Sequence, residues 1–119
     1  METVSLELLA GGVPDACKIA TAEGTNAGAT ATLAAPGAGS QYLLKGFSWQ
    51  GDADSVLQIK FGVALRIEIN LDTTGPHDDH GLHEFPVPLP VGENVALSAV
   101  LAASAADCQV AVWAFKVPV

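Results

Sequence analysis

The chain has 119 residues, half of them hydrophobic and only 6% aromatic, with 15% charged and a formal net charge of −8. One domain of this size can bury a core without disulfide or metal staples. Five basic residues against thirteen acidic ones provide no cationic surface for a phosphate backbone or an anionic membrane, so neither nucleic acid nor membrane is expected as a partner.

The opening stretch, METVSLELLAGG, lacks a basic region followed by an apolar one, so no signal peptide is expected and synthesis is expected in the cytoplasm. Within it Val4, Leu6 and Leu8 alternate with Ser5 and Glu7, the pattern of an extended arm or a first strand. Gly11-Gly12 and Pro14-Asp15 then break the chain. From Ala20 to Ser40 the residues are small and almost uncharged, without the 3.6-residue period of a helix. Residues 1–28 are therefore expected to be an arm or first strand plus a small-residue linker, and residues 29–119 a β-sandwich domain. A short strand is expected on Ala29 to Ala35, ended by Pro36-Gly37.

Gln41 to Gln50 reads as a strand with Leu43, Phe47 and Trp49 on one face and Tyr42 and Leu44 on the other. Asp52 and Asp54 sit in turn chemistry, which recruits aspartate for backbone reasons rather than for catalysis. The clearest signal follows. Leu57, Ile59 and Phe61 alternate with polar residues, Gly62 intervenes, and Val63, Leu65, Ile67, Ile69 and Leu71 alternate again. Two period-2 runs joined at a glycine predict a hairpin with one buried face.

Asp72 to Phe85 is the most polar stretch and holds all three histidines, His77, His80 and His83, spaced by three with carboxylates between. Imidazole and carboxylate are good zinc ligands, so this trio is the metal candidate. Gly75-Pro76 and Gly81 oppose the helix that would gather them on one face, and a solvated loop is the competing reading. Phe85 to Pro90 carries proline at alternate positions, which confines it to a sheet edge with Phe85, Val87 and Leu89 inward. Val95 to Leu101 and Cys108 to Val117 supply the last strands. Cys17 and Cys108 stand in no metal-ligand spacing and read as two buried thiols. Seven or eight short strands separated by turns predict an all-β, antiparallel β-sandwich, jelly-roll-like, with an extended N-terminal arm.

No nucleophile elbow, phosphate-binding loop or dinucleotide fingerprint is present, so neither an enzyme nor a cofactor is expected. Trp49, Trp113, Phe115 and Tyr42 could together form an aromatic platform for a sugar, against core packing as the alternative. Low charge with high apolar content predicts surface hidden against other subunits.

From Ala29 onward the order of segments resembles the small β-sandwich structural proteins of tailed-bacteriophage virions. The matching residues are Ala35 to Gly39 (APGAG), Tyr42-Leu43, Pro88 to Asn94 (PLPVGEN) and Ala96-Leu97. The loop at 77–84 departs from that pattern, being longer and richer in His and Asp. The resemblance implies a non-enzymatic virion component, a capsid decoration (cement) protein that is often trimeric. It would bind the major capsid protein lattice at capsomer junctions, and would reach the virion from the bacterial host cytoplasm. The partner-binding residues expected from the chain itself are Val4, Leu6 and Leu8, since an exposed apolar arm has few other uses. Two alternatives stand beside this reading. One is a carbohydrate-binding module stacking sugars on Trp49 and Trp113; the other is a small cupin-like metal protein using His77, His80 and His83.

Overall fold

A computed structural model describes residues 17–25, 27–72, 79–102 and 107–119. Eight strands make up the described fold: β1 (Cys17–Thr25), β2 (Ala29–Leu33), β3 (Ser40–Gly51), β4 (Ser55–Phe61), β5 (Ala64–Leu71), β6 (Asp79–Glu93), β7 (Leu97–Leu101) and β8 (Asp107–Pro118). They form two four-stranded antiparallel sheets, ordered β1-β8-β3-β6 and β2-β7-β4-β5. First pairs with last, second with seventh, third with sixth and fourth with fifth. That is a long hairpin ribbon wound into two facing sheets, the jelly-roll connectivity. The expected sandwich is therefore present. The small-residue stretch read as linker supplies β1, a nine-residue strand paired along its whole length with β8.

The core lies between the sheets and follows the period-2 pattern of the strands that line it. Ala29, Ala31 and Leu33 of β2, Leu97, Ala99 and Leu101 of β7, and Leu57 and Ile59 of β4 face Leu44 and Phe47 of β3 and Val110, Val112 and Ala114 of β8; all are buried. At about 25 cal/mol per Å² of apolar surface, burying one such Leu or Ile side chain contributes on the order of 1.5–3 kcal/mol.

Three one-face expectations fail, each at a bulge. Between Leu44 and Gly46 the register of β3 shifts against both neighbours, leaving Lys45 as an extra residue. The shift puts Tyr42 and Leu44 on the same inner face as Phe47 and Trp49, and Leu43 outside. Ile59 pairs with Ile67 but Lys60 with Leu65, so Arg66 is the extra residue of β5. Leu65 therefore turns outward and Val63, at the hairpin tip, is 100% exposed. Residues 85–88 bow out opposite Lys45, whose ammonium donates to the Phe85 carbonyl at 2.9 Å; Val87 is 77% exposed there instead of inward. An inserted residue reverses the phase of every side chain beyond it. The β4–β5 hairpin itself is as expected. Gly62 has φ +63° at the first position of a two-residue loop, the conformation a II′-type turn assigns to glycine.

Candidate functional site

Two surfaces stand out: the outer face of the sheet β1-β8-β3-β6, and the edge where its strand β6 lies opposite β5 of the other sheet. On the outer face the register places residues in transverse rows. Toward one end lie Cys17, Phe115, Leu43 and Pro90, then Ile19, Trp113, Gly46 and Glu84; further along come Thr21, Ala111, Ser48 and Leu82. The last full row is Glu23, Gln109, Gln50 and His80. One half of this face is thus aliphatic and aromatic, the other polar. The apolar half is not sealed by the fold: Ile19 is 65% exposed, and Leu43, Trp113 and Phe115 are only half-buried. Gly46 lets the Trp113 indole lie across the neighbouring strand, because a Cβ there would come within 2.7 Å of the ring. By contrast, the outer face of the other sheet is mostly polar, with Thr30, Thr32, Ser98, Gln58, Lys60 and Glu68 around the isolated Val100 and Leu65.

The second surface is the edge where β5 and β6 end the two sheets. The sheets do not close on one another there, and a cleft of about 250 Å³ opens between them. Phe47, Trp49, His83 and Phe85 line one side, and Ile67 and Ile69 the other. The rings pack on each other: His83 meets Phe85 edge-on at 4.5 Å, and Phe47 lies 5.6 Å from His83 and 5.8 Å from Trp49. The Trp49 indole NH donates to Asp79 Oδ1 at 3.4 Å, while Asp79 Oδ2 accepts from the Asp72 amide at 2.8 Å. One carboxylate thereby ties the end of β5 to the start of β6 and holds Trp49 at the mouth.

The residues singled out in the sequence are distributed differently from what their spacing suggested. His80 pairs with Gln50 on the outer face of β6, and His83 pairs with Phe47 on the inner one. Three residues apart on a strand means opposite faces. His77 lies outside the described residues, and among those described no group of three His, Cys, Asp or Glu could hold a metal. Trp49 and Trp113 also occupy opposite faces, as do Tyr42 and Phe115, so the four aromatics form no shared platform. Tyr42 is buried, and its hydroxyl donates to the Ala34 carbonyl. Cys17 is exposed and Cys108 buried, contrary to the expectation of two buried thiols. Cys108 pairs with Gly24, seven residues along β1 from Cys17, a separation of roughly 23 Å that no disulfide spans. Burial pushes the Cys108 thiol upward, opposed by a hydrogen bond from the Gly24 backbone and reinforced by Asp52 and Asp107. Val4, Leu6 and Leu8 lie outside the described residues.

Sequence reasoning missed the Ile19–Trp113–Phe115–Leu43 strip. Its members come from three strands distant in the chain, and only the register reveals that they are neighbours.

No family model matches the chain, and no curated protein does. Among solved structures, one similar chain is that of the extra small virus (XSV) VLP of the giant freshwater prawn Macrobrachium rosenbergii. It is 8% identical, with 84% of this chain and 77% of that chain covered and a TM-score of 0.38.

Proposed function

We propose that the protein is a non-enzymatic structural component of a tailed-phage virion, a capsid decoration protein that self-associates, as a trimer, and braces the major capsid protein lattice. The observation that carries this reading is the uncovered apolar half of the outer sheet face, built on Ile19, Leu43, Trp113 and Phe115. A continuous apolar strip with a polar surround is the anatomy of a protein–protein contact rather than of a solvated surface. The resemblance of Ala35 to Gly39 and Pro88 to Asn94 to phage virion proteins supports the choice of partner. The opposite faces of Trp49 and Trp113 weigh against the two-tryptophan sugar site.

Light scattering on a sizing column tests self-association directly. The expected mass is that of three chains, falling toward one chain in Ile19→Asp. A single chain for the wild type at every concentration would overturn the association. Co-sedimentation with decoration-free phage shells tests the lattice, and no binding by the wild type would sink that half of the reading.

A further inference from the structure

We draw no further inference here: the strongest candidate, the apolar cleft at the β5–β6 edge between Phe47, Trp49, His83 and Phe85 on one side and Ile67 and Ile69 on the other, carries none because nothing in the structure shows what covers it.

Discussion

The two edges of the sandwich are built from equally apolar strands and end in opposite states. At the β1–β2 edge the sheets meet, and Ala29, Ala31 and Leu33 are buried to 9% exposure or less. At the β5–β6 edge Ile67, Ile69 and Phe85 are just as apolar but only half-covered. The difference lies in shape rather than in hydrophobicity. Small residues on β1 and β2 (Ala20, Ala22, Ala29, Ala31) let the sheets approach, whereas Trp49, His83 and Phe85 prop the other edge apart. An apolar pattern states what a residue would gain by burial; it does not provide the cover.

The sharpest way to probe that contrast is to truncate matched residues on paired strands. Leu57 and Ile69 are cross-strand partners on one face, one fully buried and one half-covered. Leu57→Ala should cost about 2–5 kcal/mol, a transfer loss plus an unfilled cavity. Ile69→Ala should cost roughly 1 kcal/mol, because part of the side chain is already outside the core. Urea denaturation of the two variants checks this, and equal costs would mean that the open edge is as well packed as the closed one.

A smaller effect separates two glycines that each face a tryptophan. A Cβ at Gly46 would meet both the Trp113 ring and the His83 carbonyl, each at 2.7 Å. At Gly81 the obstacle is the Trp49 ring, and the cleft lies beside it. Gly46→Ala is therefore expected to cost about 1–3 kcal/mol, as overpacking against backbone does. Gly81→Ala should cost less, because Trp49 can swing into the cleft, and its emission should move to the red. A larger penalty at 81 than at 46 would show that the indole is pinned by Asp79.

Alternation made the sheet-forming segments legible in the sequence, and the β4–β5 hairpin was legible at Gly62. Faces were legible only as far as the first bulge. Nothing about Lys45 or Arg66 as residues announces an insertion, yet each reverses the side-chain phase beyond it, so that Leu65 turns outward and Tyr42 shares the inner face with Phe47. Composition was equally blind to β1, where Ala20, Ala22, Glu23 and Gly24 dilute the strand preference of Ile19, Thr21 and Thr25 and pairing with β8 holds the strand. The exposed strip and the cleft were illegible for a further reason. Both are assembled from strands that the winding of the ribbon brings together, and register is a long-range property.

The smallest expected effect lies at Tyr42, on the inner face but at the closed end of the sandwich. Burial pushes its hydroxyl above the ordinary phenol value of about 10, with nearby Lys18 pulling the other way. The neutral hydroxyl donates to the Ala34 carbonyl, a bond that a phenolate cannot make. The folded chain thus holds this proton more tightly than the unfolded one. Its contribution is complete below pH about 10 and is lost as pH rises through the higher folded value. Against Tyr42→Phe, the wild type should be more stable by about 1 kcal/mol near pH 8, the worth of one hydrogen bond. That margin should shrink above pH about 10, where ionisation begins to favour the unfolded chain. Denaturation midpoints of the two proteins measured in parallel isolate this one group, since every other titration is common to both. A margin that stays constant well above the phenol value would mean that Tyr42 is open to water in solution and that the closed end is looser than its packing indicates.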